Sequence, residues 1–517
     1  MTRTTIHRKA NGAAYVYSVE SYWDKEKKAP RNRQICLGRL NEETGEIIPS
    51  KRMARMEKGA KTPPEIQASA KVHGPYTVLM KLAKDLGLLR ILHESFPSIH
   101  EEILSLTFFL VQNERALSRC EFWSENNDHP YGHPLTSQRV RELLTLITEN
   151  DRQHFLSLWL KQLDEKEMLC YNTTSISSYA KANEYVCFWE MRNNEKLQQT
   201  NLAMLFGQES GLPAYYRRMP WNTTDASTLQ TMIDTLDCLG KTKLQFVLDH
   251  SFYSEKNVDA LLNKQQHFVL MVPSHCEWLR NIIEQHMESI ASPEHYRQTD
   301  ESETLYMISH LHHWKNHSCY VHLYYNASRA AEEFDKLTKK LVLCKKELET
   351  EDLKEENKEL YEKLFIVKRT PKRGLSVTYN DAEIQKYRNQ YAGFFCIMTN
   401  VKMESDEVLE IYRRRNVVEN CFDGLENERD VKRLRVHSPG TMDSRIFIQF
   451  IALILMSKIR EITKKAKELR YMTIREIMEA MESVVRITYA GRDEDVITEI
   501  GSLQREICGA FGVELNS

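Results

Sequence analysis

Residues 166–273 hold an order of apolar segments that few protein folds accommodate. Up to residue 221, short apolar runs alternate with turn signals such as Gln-Glu-Ser-Gly, which predicts antiparallel strands joined by hairpins. After them come a helix, a strand, a helix and a strand, in the runs DASTLQTMIDTLDCLG, KLQFVLD, SEKNVDALLNKQQ and HFVLMVP. Largely unbroken apolar runs are typical of strands buried on both faces. The sequence therefore predicts an α/β domain in which antiparallel strands lead into parallel strands with crossover helices.

This order is the one expected of a ribonuclease H-like core, which has a mixed five-stranded sheet covered by helices. Such a core places carboxylates midway along its first strand, at the end of its fourth strand and on a later helix. The corresponding residues are Asn172, Asp249 and Glu419. Three carboxylates so arranged hold two Mg²⁺ ions about 4 Å apart, one activating the attacking water or 3′ hydroxyl and one stabilising the leaving oxygen at phosphorus. Two of the three positions carry the required charge, and the first carries an amide.

The segment from Ile411 to His437 is predicted as the helix that supplies the third position. At about 100° per residue, it forms one polar and one apolar stripe side by side. The stripes consist of Tyr412, Arg415, Glu419 and Glu426, and of Ile411, Val418, Phe422 and Leu425. The apolar stripe could dock on a core while the polar stripe lines the edge of that core. A surface helix with i,i+4 charge pairs has the same spacing, so the pattern alone leaves both interpretations open.

The N-terminal part of the chain is basic, with 14 Lys and Arg against 7 Asp and Glu in residues 1–61. Residues 13–48 alternate as short strands do, and a basic β-hairpin there could lie along a phosphate backbone or be a solvated edge. Residues 73–165 read as helices. Thr136 or Ser137 can cap one that carries Arg139 and Arg141, which resembles a helix-turn-helix reading element, although any small helical bundle looks similar.

We predict six regions along the chain, with an insertion that interrupts the core. The insertion contains β-like pieces and a charged helical stretch over residues 328–368. Its four clustered histidines have no CxxC partner, so a zinc site is not expected. The regions are a basic β-hairpin region (1–70), a helical DNA-binding region (71–165), the first part of the core (166–275), a β-rich and helical insertion (276–400), the last part of the core with the catalytic helix (401–466) and a helical tail (467–517).

The cysteines and apolar runs indicate the compartment. The chain has 11 cysteines, an odd number, and none forms a CxxC pair, which favours reduced thiols in the cytoplasm. The N-terminus lacks the apolar segment of a signal peptide. The longest apolar run, Ile446 to Met456, contains Gln449 and is too short to span a bilayer. We therefore expect a cytoplasmic protein without a membrane partner.

The residues around these positions resemble a known family of enzymes. The chain is similar to bacterial insertion-sequence transposases of the DDE class, in the branch with a Tyr-x2-Arg-x3-Glu-x6-Lys signature. The resemblance extends over about residues 14–466 and is carried by YRRRNVVE, which holds Tyr412, Arg415 and Glu419, and by YNTTSISSY, FVLDHSFYSEKNV and NLAMLFGQESGLPAYYRRMPWN. It implies a ribonuclease H-like fold with a β-rich insertion between the second and third acidic residues.

The resemblance also implies an activity and its partners. Members of the family cut double-stranded DNA at the terminal inverted repeats of a mobile element and join it to target DNA, as dimers. They use Mg²⁺ or Mn²⁺, for which Asp249 and Glu419 would be the charged ligands. The signature tyrosine and arginine lie near the terminal phosphates of the bound element end, a role that falls here to Tyr412 and Arg415.

Four residues depart from the family pattern. Asn172 stands where the family has its first aspartate, and Glu426 stands where it has the signature lysine. His250-Ser251 follows Asp249 where Arg-Gly is expected. An amide oxygen supplies no charge, and Glu426 would repel phosphate unless Arg433, two turns along a continuing helix, replaced the lysine. Two hypotheses follow: an active transposase that cuts and transfers DNA, and a DNA-binding, dimerising derivative with a degenerate active site.

Overall fold

The computed structural model describes most of the chain, with gaps between the described segments. The chain divides into two units, residues 1–69 with 487–495 and residues 70–486 with 496–517. The described residues are 2–9, 12–24, 29–41, 45–49, 68–113, 117–164, 166–178, 187–190, 196–220, 225–241, 243–274, 276–298, 304–370, 374–390, 392–415, 433–434, 439–490 and 495–514.

The first unit contains a four-stranded antiparallel sheet in the order β1-β2-β3-β4. Ala14, Val16 and Val19 on β2 are its buried side chains. Gly38 is required by close packing, because a Cβ there would overlap the carbonyl oxygen of Ile48. The prediction of short strands over residues 13–48 is confirmed. The strands are β1 (Thr2–Arg8), β2 (Ala14–Asp24), β3 (Ala29–Leu40) and β4 (Ile47–Pro49).

The described residues between 74 and 161 form six α-helices, in agreement with the helical prediction for residues 73–165. The Oγ1 of Thr136 accepts a hydrogen bond from the backbone N–H of Arg139 and so caps the predicted helix. The apolar faces of these helices pack together in the main core. A short strand, β5 (Ala68–Val72), precedes them. The helices are α1 (Gly74–Asp85), α2 (Leu88–Ser95), α3 (His100–Gln112), α4 (Cys120–Asn126), α5 (Ser137–Leu146) and α6 (Glu149–Lys161).

Five strands of the next segment lie side by side in the order β9-β8-β6-β10-β11. The β9-β8 and β8-β6 pairs are antiparallel, and the β6-β10 and β10-β11 pairs are parallel. Phe246 and Leu270 on the two parallel strands are fully buried, as the apolar runs predicted. The elements are β6 (Met168–Ser178), β7 (Cys187–Glu190), β8 (Lys196–Gly207), β9 (Pro213–Met219), α7 (Asp225–Cys238), β10 (Gln245–Leu248), α8 (Glu255–Asn263) and β11 (His267–Val272).

The predicted insertion contributes strands to the same sheet. Strand β17 pairs antiparallel with β11 on one side and with β14 on the other, and β13 and β12 follow. Among the described residues the sheet has eleven strands, more than the five of the predicted core. The elements of this region are α9 (Glu277–His286), β12 (Tyr296–Gln298), β13 (Thr304–Trp314), β14 (His317–Tyr325), α10 (Ala327–Glu349), α11 (Lys358–Leu364), β15 (Phe365–Thr370), β16 (Gly374–Tyr379), α12 (Asp381–Gln390) and β17 (Phe394–Thr399).

The residues between β14 and β17 have a small core of their own. Leu341 and Cys344 of α10 pack there against Tyr361 and Val377. The prediction of one helical stretch over residues 328–368 is wrong in part, since α10 ends at Glu349 and β15 begins at Phe365. Phe365 is buried in this small core and pairs with Tyr379 across the β15-β16 hairpin, which favours a strand over a further helical turn.

The C-terminal part of the second unit is organised around α14, whose central residues are almost all buried. Of the described helices, none combines the length and the apolar character needed to cross a membrane. The predicted helical tail contains two helices and two short strands. The elements are α13 (Ser405–Arg414), β18 (Arg433–Leu434), α14 (Pro439–Lys465), α15 (Ile474–Met481), β19 (Val485–Tyr489), β20 (Val496–Ile497) and α16 (Ser502–Phe511).

Phe447 on α14 should be one of the main contributors to stability. Its ring is fully buried, with centroids 5.3 Å from that of Phe96 and 5.1 Å from that of Phe155. Phe447→Ala is expected to cost about 3–5 kcal/mol, because it leaves a cavity between these rings. Thermal unfolding followed by circular dichroism should show a Tm several degrees lower. Phe122→Ala is the control, since that ring is 72% exposed; equal Tm values for the two variants would contradict the prediction.

Candidate active site around Asp249

Asp249 and Asn172 occupy neighbouring positions where the interior strand β10 ends beside the middle of β6. Asp249 directly follows β10, and the parallel register pairs Val247 with Cys170 of β6. Continued by two residues, this register places Asp249 beside Asn172. Adjacent strands are about 4.8 Å apart, and residues two apart on a strand share a face. The fold therefore brings together two of the three positions that the sequence singled out.

Tyr412 and Arg415 reach Asp249 from the end of α13. The Tyr412 hydroxyl donates a hydrogen bond to Asp249 Oδ1 over 2.8 Å, and Arg415 Nη1 lies 3.2 Å from the same oxygen. The guanidinium carbon of Arg415 is 5.1 Å from the centre of the Tyr412 ring, a cation–π geometry. The two residues of the predicted signature thus contact the second acidic residue directly.

The charge of Asp249 is stabilised by its neighbours. Burial alone would raise the pKa of this carboxyl, whose side chain is 21% exposed. The positive charge of Arg415 and the hydrogen bonds from Tyr412 and His250 outweigh burial and hold the pKa below its usual range. Asp249 is therefore a carboxylate at neutral pH. These contacts stabilise the fold above the ordinary aspartate pKa, and that contribution is lost as the pH falls through the lowered value.

Contacts at both ends of α13 fix the position of Tyr412. At its start, Ser405 Oγ lies 3.0 Å from Nδ1 of His322, and the Ser405 carbonyl accepts a hydrogen bond from the Tyr324 hydroxyl over 2.7 Å. Burial lowers the pKa of His322 to about 4, so this histidine is neutral at pH 7. At the other end, Gln208 donates a hydrogen bond to the carbonyl of Ile411. The helix is therefore tied to the sheet at β14 and at the turn after β8.

Asn172 offers a weaker ligand than the aspartate that was expected. Its side-chain oxygen accepts a hydrogen bond from the backbone N–H of Thr173 over 2.8 Å, so one lone pair of this oxygen is in use. Within the described part of the chain, no group of three His, Cys, Asp or Glu side chains could hold a metal ion. Asp249 and Asn172 together supply one charged and one neutral oxygen. This pair suits a single divalent ion better than two ions that share a bridging carboxylate.

The structure describes only some of the remaining predicted site residues. Glu419 and Glu426 lie outside the described residues. The helix does not continue to Arg433, so that part of the helical prediction is wrong. Arg433 instead lies in β18, whose parallel pairing with β6 places it opposite Ser177. Arg433 lies in a strand because β18 pairs with β6. The helical spacing of side chains in the sequence does not indicate such a partner.

Arg139 has a structural partner within the helical region. Its Nε donates to Glu102 Oε1 over 2.9 Å, and Glu102 is buried. A buried carboxylate needs such a partner, because leaving it unpaired costs several kcal/mol, roughly 3–5. Arg141 on the same helix is exposed and donates to the carbonyl of Ser137. Of the two arginines on the predicted reading helix, Arg141 is the more exposed.

The sequence analysis assigned no role in the site to three residues that contribute to it. His250 Nδ1 lies 3.0 Å from Asp249 Oδ2, and the sulfur of Met271 lies 3.1 Å from the Tyr412 hydroxyl oxygen. His322 anchors α13 through Ser405. The position of His250, next to Asp249 in the chain, was a usable signal. Met271 and His322 lie within apolar strand sequences, where nothing local marks them.

Comparison with known proteins assigns the chain to a family. A family model described as the transposase DDE domain matches residues 180–455, more than half of the 517 residues. The chain belongs to this family. Its function is that of a DNA transposase, and DDE transposases in general use divalent metal ions to cleave and transfer DNA. The matched range contains Asp249, Tyr412 and Arg415 and begins after Asn172.

Two solved structures are similar to this transposase. One is a cryo-EM structure of a piggyBac transposase synaptic complex with hairpin DNA; it is 8% identical, with a TM-score of 0.35, over 78% of this chain and 70% of that chain. The other is a Mos1 transposase paired-end complex with a left transposon end; it is 14% identical, with a TM-score of 0.16, over 35% of this chain and 79% of that chain. No curated protein matches the sequence. The family assignment rests on the family model.

Proposed function

We propose that this chain binds the ends of a bacterial insertion sequence and carries out metal-dependent DNA cleavage and strand transfer. It would belong to the branch with the Tyr-x2-Arg-x3-Glu-x6-Lys signature. The observation that carries the proposal is the contact of Tyr412 and Arg415 with Asp249. If this were a surface helix without a functional role, nothing would favour contact of its tyrosine and arginine with the carboxylate that follows a buried parallel strand.

A ribonuclease H-like core is the fold that goes with this function. In support, three antiparallel strands are followed by two parallel strands in the spatial order β9-β8-β6-β10-β11, with α7 and α8 in the connections. Asp249 ends the fourth of these strands in chain order, and Asn172 lies within the first. In the proposed arrangement, β12, β13, β14 and β17 of the insertion (276–400) extend the core sheet, and residues 327–390 are the part of the insertion outside that sheet.

A divalent ion, Mg²⁺ or Mn²⁺, would be held by Asp249 and Glu419, with the Asn172 amide as a neutral ligand. Such an ion lowers the pKa of a bound nucleophile and stabilises charge on the leaving oxygen. Tyr412 and Arg415 would bind the terminal phosphates of the element end, since a guanidinium forms paired hydrogen bonds with phosphate oxygens. We place Arg433 near the same DNA strand, because its position in β18 lies beside β6.

Other surfaces would hold the rest of the DNA. The basic N-terminal region (1–70) and the helical region (71–165) would bind the inverted repeat, with Arg39 and Arg141 among the exposed basic residues. A second copy of the chain would hold the other element end, so the working form would be a homodimer on double-stranded DNA in the cytoplasm. The core would comprise residues 166–275 and 401–466, with an insertion at 276–400 and a tail at 467–517.

The second candidate is a transposase derivative that binds DNA and dimerises without cutting. It is favoured by Asn172, whose side-chain oxygen is neutral and bonded to the backbone N–H of Thr173. Loss of one charged ligand weakens the hold on a divalent cation. Both candidates share the fold and the DNA-binding surfaces, and they differ only in chemistry.

The test uses the full chain with a labelled duplex that carries the terminal inverted repeat of the element, in Mg²⁺ and in Mn²⁺. Binding is expected to weaken with salt, the log–log slope being about 0.9 per phosphate contacted. Arg141→Gln should reduce this slope by about 0.9, and Glu142→Gln is the matched control. Binding with cleavage supports the first candidate, and binding without cleavage supports the second. Absence of salt-dependent binding would contradict both.

A further inference from the structure

The carboxylate of Asp249 is already occupied by side chains of the protein. Oδ1 accepts the hydrogen bond from the Tyr412 hydroxyl and faces the Arg415 guanidinium at 3.2 Å, while Oδ2 lies 3.0 Å from His250 Nδ1. A Mg²⁺ ion binds carboxylate oxygens at about 2.1 Å, closer than any of these donors, and it uses the same lone pairs. It would also meet the positive charge of the guanidinium. Three of the roughly four lone-pair positions of the Asp249 carboxylate are therefore in use, and a metal ion would compete with these donors for the carboxylate.

Arg415 and Tyr412 should compete strongly with a metal ion for Asp249, because these side chains are sheltered from water. The Arg415 side chain is 13% exposed and that of Asp249 is 21% exposed, so their charges are weakly screened. Arg415 also lies against the ring of Tyr412, and its backbone N–H bonds to the Tyr412 carbonyl. Tyr412 and Arg415 are therefore held together at the end of α13. A ligand that attracts the guanidinium would also disturb the Tyr412 hydrogen bond.

We propose that Arg415 and Tyr412 keep Asp249 from binding a divalent metal until a DNA phosphate draws them away. Phosphate and carboxylate oxygens compete for the same guanidinium and hydroxyl donors. Once the phosphate has taken them, Asp249 becomes a free carboxylate beside a new negative charge. Both changes favour the cation. Binding of DNA and binding of metal at Asp249 then strengthen each other by the same factor, as linkage requires.

Through this coupling, the contact of Tyr412 and Arg415 with Asp249 would regulate metal binding. Without DNA the protein would hold little metal and so would not cleave at random, and the site would fill only when an element end is in place. The inference rests on the proposed roles of Asp249 as metal ligand and of Tyr412 and Arg415 as phosphate ligands. It adds that, in the protein without DNA, Tyr412 and Arg415 interact with the Asp249 carboxylate in place of the metal ion.

The test measures Mn²⁺ affinity of the full chain without DNA, from the electron paramagnetic resonance signal of free Mn²⁺. Arg415→Gln should bind Mn²⁺ about 10-fold more tightly than the unmodified chain, within the usual range of such couplings. Tyr412→Phe, which removes only the hydroxyl, should give a smaller gain. Arg414→Gln is the matched control, because Arg414 is exposed and pairs with Glu410 on the same helix. Circular dichroism should confirm that each variant folds.

Two further arms separate the inference from the function on which it rests. Asp249→Asn added to Arg415→Gln should remove the gain in Mn²⁺ affinity. A terminal-repeat duplex, with its own Mn²⁺ binding subtracted, should raise the affinity of the unmodified chain about 10-fold and that of Arg415→Gln by less, because the guanidinium no longer has to be drawn away. If Asp249→Asn weakens Mn²⁺ binding but Arg415→Gln leaves it unchanged, the metal site stands and the inference is overturned. If Asp249→Asn has no effect in either background, both fail.

Discussion

Replacing Asp249 with asparagine is expected to abolish DNA cleavage, by about 10³-fold or more, while DNA binding persists. In the proposed site this carboxylate would be the one charged oxygen ligand among the described residues, and a metal-stabilised transition state would depend on it. The substitution keeps the shape of the side chain. It also removes the partner of Arg415. The freed guanidinium should then bind phosphate at least as tightly as before.

The measurement pairs a cleavage assay on terminal-repeat DNA with a binding titration on the same duplex. Asp259→Asn is the matched control. It removes the same charge from α8, where Asp259 pairs with Lys315 and accepts a hydrogen bond from Trp314. The control should cleave like the unmodified chain. Cleavage by Asp249→Asn at the unmodified rate would remove Asp249 from the active site, and joint loss of binding and cleavage would indicate a structural role instead.

Restoring an aspartate at position 172 is expected to increase cleavage by about 10-fold or more, a gain that corresponds to about 1.4 kcal/mol of transition-state stabilisation. The β6-β10 register places this residue beside Asp249, so a second carboxylate would face the same ion. Two neighbouring carboxylates repel each other without a cation. Asn172→Asp should therefore lower the stability of the metal-free protein and make its Tm rise when Mn²⁺ is added.

The control for this prediction is Asn172→Ala, which removes the amide without adding charge. It should cleave no better than the unmodified chain. A companion variant, Glu426→Lys, restores the expected charge at the signature position and should tighten DNA binding. If Asn172→Asp leaves both the cleavage rate and the Mn²⁺ dependence of the Tm unchanged, the first acidic position does not lie at the metal site. Asn172 would then not lie beside Asp249 beyond the end of the β6-β10 pairing.

Much of the site was accessible from the sequence because it depends on short-range patterns. The apolar run that ends at Asp249 predicted a buried strand, and the spacing of Tyr412 and Arg415 predicted a common helical face. The contact between Asp249 and Tyr412 joins residues 163 positions apart, and no local period reports such a distance. The same limit applies to His322, a buried histidine that anchors Ser405 from a strand 83 residues away.

Alternation and helical periodicity are local properties, so the chain by itself determined that β6, β10 and β11 are strands and that Tyr412 and Arg415 share a helix. The tertiary structure decided which strands became neighbours. It placed β17 between β11 and β14 and so joined the predicted insertion to the central sheet. It also turned Tyr412 and Arg415 onto Asp249. Backbone hydrogen bonds and ion pairs form between the groups that the fold of the whole chain brings together. No single segment of the sequence specifies which groups these are.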